Sequence, residues 1–134
     1  MIYCLDTNIC IYSLKGKYPS IATHMRKKIP TEIKIPSMVE AELLLGAQKS
    51  QNTSATLDKA QKFLAPFEIL PFDHEAAEIY SEIRAKLEQE GKIIGPNDLI
   101  IAATVLAHHS TLVTHNVKEF SRISGLKIQD WTVD

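Results

Sequence analysis

MIYCLDTNIC, residues 1–10, sets a short apolar run, Ile2 to Leu5, directly against a carboxylate at Asp6. The run has the length and side chains of a fully buried strand. Asp6-Thr7-Asn8 is the chemistry of a turn or a helix N-cap, because each of these side chains can accept a bond from a free backbone N–H. Two readings of Asp6 follow: a cap and nothing more, or a charge placed on purpose at a strand end. The rest of the chain has to separate them.

Outward from that stretch, strands and helices alternate. Ile9 to Leu14 reads as a short helix closed by Gly16, and Ile21 to Ile29 as a second helix entered through Pro19-Ser20. Lys34-Ile35 is a brief strand. Ser37 is placed to cap a helix through MVEAELLLGA, with Glu40 three residues on, the spacing of a capping box. Asn52 to Ala65 is amphipathic, Phe67 to Leu70 is a strand stopped by Pro71, and Asp73 caps a long helix ending near Gly91. DLIIAATVLA is apolar on every side and reads as a buried helix. TLVT is a strand, HNVKEF a short helical turn, and LKIQDW a last strand. This alternation specifies an α/β fold in three layers, a mostly parallel central sheet flanked by helices. No linker or internal repeat interrupts it, so the expected organisation is one domain over residues 1–134.

The bulk numbers agree with that size. A chain of 134 residues can bury roughly two thirds of its unfolded surface, and 45% hydrophobic with 23% charged residues is ordinary for a globular protein. No apolar run is long enough to cross a membrane. The first residues lack the pattern of a secretory signal, so the expected location is the cytoplasm. Cys4 and Cys10 lie on an apolar strand and the helix after it, which favours buried free thiols over a disulfide. Net charge is −1, but it is unevenly spread: residues 1–67 carry +4 and residues 68–134 carry −5. A basic N-terminal half suits a polyanionic partner without requiring one.

In parallel α/β sheets, ligands bind beyond the C-terminal strand ends, near the point where strand order switches direction. Asp6, Glu42, Asp98, Asn116 and Glu119 all fall just after a strand or in the early turns of a helix. Asp98 is the most informative of these. It opens an otherwise apolar helix, and no Lys or Arg occurs in the nineteen residues after it. A second carboxylate about 5 Å away would repel it by roughly 3 kcal/mol at an effective dielectric near 20. A divalent cation removes that cost. An oxygen-only donor set selects a hard ion, Mg²⁺ or possible substitute Mn²⁺, over zinc. The histidines do not compete: His24, His74, His108 and His109 lack ligand spacing, and only His115, beside Asn116, belongs near the site. Carboxylates holding hard metals serve phosphodiester hydrolysis by activated water.

Four motifs in order, LDTN, AELLLGA, GPNDLIIAA and LVTHNVKEFSRISGLKIQDW, resemble a PIN domain, and more narrowly the VapC toxins of bacterial toxin–antitoxin pairs. The resemblance runs from Ile2 to about Trp131. It implies a PIN-like fold and an Mg²⁺-dependent endoribonuclease that cuts structured RNA, commonly a tRNA, and halts translation. It also implies a homodimer held inactive by a cognate VapB-like antitoxin. By the same resemblance Asp6, Glu42 and Asp98 correspond to metal-binding acids, with Glu40 facing solvent or a partner. The family's fourth acid falls at Asn116, where Glu119 one turn on takes over the carboxylate role and Asn116 keeps a lesser catalytic part. Thr7, Asn8 and Thr114 correspond to a polar shell that orients the acids. Arg84 is offered as a phosphate contact, against its plainer reading as an exposed helix charge.

Two other readings are weaker. A phosphotransferase of the haloacid-dehalogenase or receiver type needs a second aspartate that LDTN lacks. A non-catalytic RNA- or protein-binding module with a vestigial acidic pocket would not need all three main acids.

Overall fold

The computed structural model describes residues 1–134. Five strands form one sheet: β1 (Tyr3–Leu5), β2 (Ile33–Pro36), β3 (Glu68–Leu70), β4 (Thr111–Val113) and β5 (Lys127–Gln129). Their order is β3-β2-β1-β4-β5, and every pairing is parallel. Seven α-helices connect and flank them: α1 (Thr7–Lys15), α2 (Pro19–Arg26), α3 (Ser37–Gln48), α4 (Thr53–Leu64), α5 (His74–Gln89), α6 (Pro96–Ala107) and α7 (Val117–Phe120). The expected three-layer α/β architecture is what forms. Its sheet is parallel throughout.

β1 is the middle strand, paired along one edge with β2 and along the other with β4. Tyr3, Cys4 and Leu5 are all buried, the pattern of a strand covered on both faces. The chain leaves β1 toward β2 and β3 on one side, then crosses back through α5 and α6 to β4 and β5 on the other. The switch point therefore lies between β1 and β4, where Leu5 stands opposite Val113. Helix α6 is enclosed as its composition demands. Leu99, Ile101, Ala102, Ala103, Thr104, Val105 and Ala107 are all buried, and the Thr104 hydroxyl donates to the Ile100 carbonyl within the helix. Pro96 occupies its first turn, where a missing N–H costs nothing.

Local expectations hold where a side chain had one thing to do. Asp73 and Asn52 cap α5 and α4 through Ala76 N and Ala55 N, and Gly16 ends α1 in the left-handed conformation at φ 64°. Ser37 is the exception. The N-cap of α3 is Pro36, which has no side-chain bond. The Ser37 hydroxyl instead accepts from Phe72 N at 3.3 Å, tying α3 to the segment after β3. Helix α2 ends at Arg26 rather than reaching Ile29, because Pro30 opens a short 3₁₀ turn and restricts the residue before it. Cys4 and Cys10 are free and buried, as expected.

Candidate active site

Asp6 leaves the C-terminal end of β1, and Thr114 leaves β4 beside it. The Asp6 N–H donates to the Val113 carbonyl at 3.0 Å, which fixes the two exits side by side. Asp6 does cap α1: its Oδ1 accepts from Ile9 N at 2.9 Å. Capping does not account for its surroundings. Asp6 as a residue is only 5% exposed, and burial pushes its carboxyl pKa up to about 6. Bonds from Thr114 and Ile9 N–H favour the ionised form, while Asp98 and Glu42 add repulsion. A cap that needed only a helix would sit at the surface.

Asp98, in the first turn of α6, is half-buried. Its carboxyl is raised above the ordinary range first by burial, then by the charges of Glu119 and Glu42. Asp98 therefore feels Glu42 and Glu119, and Asp6 feels Asp98 and Glu42. These four carboxylates, drawn from β1, α3, α6 and α7, share one electrostatic environment. No cation of the chain pairs with any of them.

Short polar bonds hold the two glutamates. The Thr7 hydroxyl donates to Glu42 Oε1 at 2.6 Å, and Asn97 Nδ2 donates to Glu42 Oε2 at 3.4 Å. Asn116 Nδ2 donates to Glu119 Oε2 at 2.6 Å, and Asn116 N–H donates to the Thr114 hydroxyl at 2.9 Å. Asn116 and Glu119 are therefore partners rather than alternatives: the amide orients the carboxylate. Asn8, grouped by sequence with Thr7 and Thr114, is exposed, and its side chain makes no hydrogen bond. Asn97 was missed. The available signal was its place next to Asp98 in the opening turn of α6, within reach of α3.

No three His, Cys, Asp or Glu side chains converge closely enough to enclose an ion as they stand. The donor set itself is all oxygen and carries excess negative charge, which fits a hard divalent cation.

The other flagged side chains lie elsewhere or are engaged. Glu40 lines a separate groove with Leu44, Phe67 and Ile69. Arg84 pairs with Glu88 at 2.9 Å and donates to the Tyr80 hydroxyl, so it is committed within α5. His74 pairs with Glu78, His24 stacks on Trp131, and His108 lies 3.8 Å from Asp73. His115 adjoins the acids through its chain neighbours, Thr114 and Asn116.

The likeness to known proteins covers nearly the whole chain. The PIN domain family matches residues 3–126. Ribonuclease VapC2 of Rickettsia felis is 42% identical over 132 residues, 98% of each chain. The tRNA(fMet)-specific endonuclease VapC of Shigella flexneri is 35% identical over 97% of this chain and 98% of its own. The crystal structure of VapBC2 from Rickettsia felis bound to a DNA fragment from the promoter contains a chain that superposes with a TM-score of 0.92. That chain is 41% identical, covering 98% of this chain and 99% of its own.

Proposed function

The chain belongs to the PIN-domain family and within it to the VapC ribonucleases, and from that premise we propose how it works as the toxin of a toxin–antitoxin pair. It hydrolyses phosphodiester bonds in structured RNA, with tRNA the first substrate to test, and so stops translation. The observation that carries this reading is that Asp6, Glu42, Asp98 and Glu119 stand beyond the strand ends with no cation of the chain to balance them, Glu42 held by Thr7 beside Asp6 and by Asn97 beside Asp98, and Glu119 held by Asn116.

Asp6, Asp98, Glu42 and Glu119 would hold Mg²⁺, or Mn²⁺ in its place. When bound, such an ion supplies the positive charge that activates water and stabilises the oxygens of the displaced phosphodiester. The chain's own residues do the positioning. Asp6 is fixed by the Ile9 N–H and buried beside Thr114, so its orientation is set before any ligand arrives. Thr7 and Asn97 hold both oxygens of Glu42, and Asn116 holds Glu119. Such outer partners usually matter about 10- to 100-fold in affinity or activity. Charge neutralised at this site lets a polyanion approach that the bare acids would repel.

The relatives solved as toxin–antitoxin complexes support a VapB-like antitoxin partner here. A groove of about 430 Å³ between α1, α3 and α4 is lined by Ile11, Leu14, Leu43 and Ala47 and reaches Glu42, which suits an apolar partner segment that ends at the acids. A homodimer is the assembly proposed for the toxin.

The test is cleavage of total cellular RNA by the purified protein in Mg²⁺ and in EDTA, beside Asp98→Asn. We expect discrete, Mg²⁺-dependent products, reduced on the order of a thousandfold in the variant, whose ends name the cut site. Cleavage unchanged in EDTA or in Asp98→Asn would overturn the mechanism. Tight RNA binding with no cleavage by the wild-type chain would leave only the binding-module reading.

A further inference from the structure

Three aromatic rings, from α1, from the residue before α2 and from the residue after Thr114, meet without being closed over by the core. The Tyr12 and Tyr18 ring centres are 5.0 Å apart at an interplanar angle of 68°. His115 completes the group, 6.4 Å from Tyr12 and 5.8 Å from Tyr18. Tyr12 and Tyr18 rest their inner edges on the core and are half-buried. The His115 side chain is 48% exposed. Lys17 Nζ lies 4.9 Å from the Tyr12 ring centre and 5.4 Å from that of Tyr18. It has no carboxylate partner anywhere in the chain.

The histidine is held rather than loose. Its Nδ1 lies 3.0 Å from Asp130 Oδ2 and 3.0 Å from the Thr132 hydroxyl, and that hydroxyl also donates to Asp130 Oδ1 at 2.7 Å. A carboxylate can only accept, so Nδ1 carries the proton toward Asp130. The other ring nitrogen, Nε2, has no partner within the protein. Since Asp130 and Thr132 follow β5, the last strand has a use beyond closing the sheet: it aims this ring.

We propose that Tyr12, Tyr18 and His115 form a stacking subsite for an unpaired nucleobase next to the scissile phosphodiester, with Lys17 contacting an adjacent phosphate. The inference rests on the ribonuclease reading above and deepens it. The acids attract cations and cannot by themselves hold a polyanion, so phosphates flanking the cut need a cation of the protein. Lys17, which has no carboxylate partner and rests over the Tyr12 and Tyr18 rings, is the cation at this subsite. Every base has a π-face, so stacking on Tyr and His rings grips a splayed nucleotide without fixing its identity. The unpartnered Nε2 can take a hydrogen bond from a base edge or a 2′-hydroxyl. His115 is joined through Thr114 and Asn116 to the positions that hold Asp6 and Glu119. A base seated on His115 therefore lies on the side of the site where Thr114 and Asn116 hold Asp6 and Glu119.

The test uses the Asp98→Asn chain, expected to cut too slowly to matter during a binding measurement, and a short oligouridylate carrying one 2-aminopurine. We expect the 2-aminopurine emission to be quenched on binding. Adding Tyr18→Leu or His115→Ala should remove the quench and weaken binding roughly 5- to 100-fold. Tyr18→Phe, which keeps the ring, should preserve both. Adding Lys17→Ala should weaken binding and lower the slope of log K against log salt by about 0.7, with Lys17→Arg restoring it. In the cleavage-competent chain, Lys17→Ala and His115→Ala should raise KM and leave kcat within twofold. Lys17 and His115 are exposed, so these two variants keep the test valid even if Tyr18→Leu fails to fold. Unchanged quench and affinity in both would overturn the subsite. So would variants that lose only a VapB-like antitoxin and not the oligonucleotide. If the wild-type chain cuts no RNA, the ribonuclease mechanism fails, while the quench still decides the subsite.

Discussion

The two ends of β1 bury titratable side chains equally well and with opposite consequences. Cys4, in the strand, has its thiol pushed up to about 12 by burial, so it remains neutral and adds no charge to the interior. Its neighbour Tyr3 packs at 5.5 Å against Trp131, on which His24 stacks nearly parallel at 5.3 Å. Lys28 covers the rings of Tyr3 and Trp131, and Ser20 donates to the Trp131 carbonyl at 2.8 Å. There the rings and the lysine close over one another. At the other end Asp6 is raised only to about 6 and stays ionised at neutral pH among two further carboxylates. One end of the strand is arranged for stability. The other carries a cost that only an outside ligand relieves.

The closed end should show the largest effect on stability. Trp131 is 1% exposed, and Trp131→Ala should destabilise the fold by about 3–5 kcal/mol, the usual range for emptying a buried indole site. Urea unfolding measures it. A loss below 1 kcal/mol would mean that the aromatic clasp is ornamental and that the contrast between the ends is false.

At the open end the sign reverses. Asp6 has a folded pKa of about 6 against an ordinary value of 3.8, so the folded state holds its proton more tightly than the unfolded chain. Stability from this group is therefore intact below about pH 4, falls as pH rises, and is fully lost above about pH 6. Asp6→Asn keeps the cap on Ile9 N and removes the charge. In EDTA at pH 7 it should stabilise the protein by about 2–3 kcal/mol and flatten the slope between pH 4 and 6. A destabilised variant with the slope unchanged would place the cost elsewhere.

The smallest of these effects sharpens the fourth position. Glu119→Gln should lower cleavage about 10- to 100-fold, and Asn116→Ala by less, because Asn116 acts by holding Glu119. The two losses should not add, as expected of residues in one bond. If Asn116→Ala alone impairs cleavage, the roles of the two residues are exchanged.

Much of this was legible in the sequence. Strand and helix order followed from apolar runs and caps, because buried strands and the all-apolar α6 leave strong patterns. Asp6, Glu42, Asp98 and Glu119 could be picked out because parallel topology forces strand ends together. What failed to show was any choice a side chain makes between local and distant partners. Ser37 could cap its own helix but bonds to Phe72 instead. Asn97 reaches α3, fifty-five residues away in sequence. Tyr12 and Tyr18 sit close in sequence across the α1–α2 junction, but only the fold brings His115, picked out for its place beside Asn116, against their rings. Arg84 had a partner one turn away in Glu88, a local pairing that was available in the sequence and went unused.

The central claim is that the four carboxylates form one site whose repulsion a divalent cation relieves. It is tested most directly by thermal unfolding with increasing Mn²⁺, for the wild-type chain and for Asp98→Asn. A ligand that binds only the folded state stabilises it by about 2.7 kcal/mol at a hundred times its Kd. The Tm should climb with Mn²⁺ in the wild-type chain and stay nearly flat in Asp98→Asn. Equal climbs in both, or none in the wild-type chain, would contradict it.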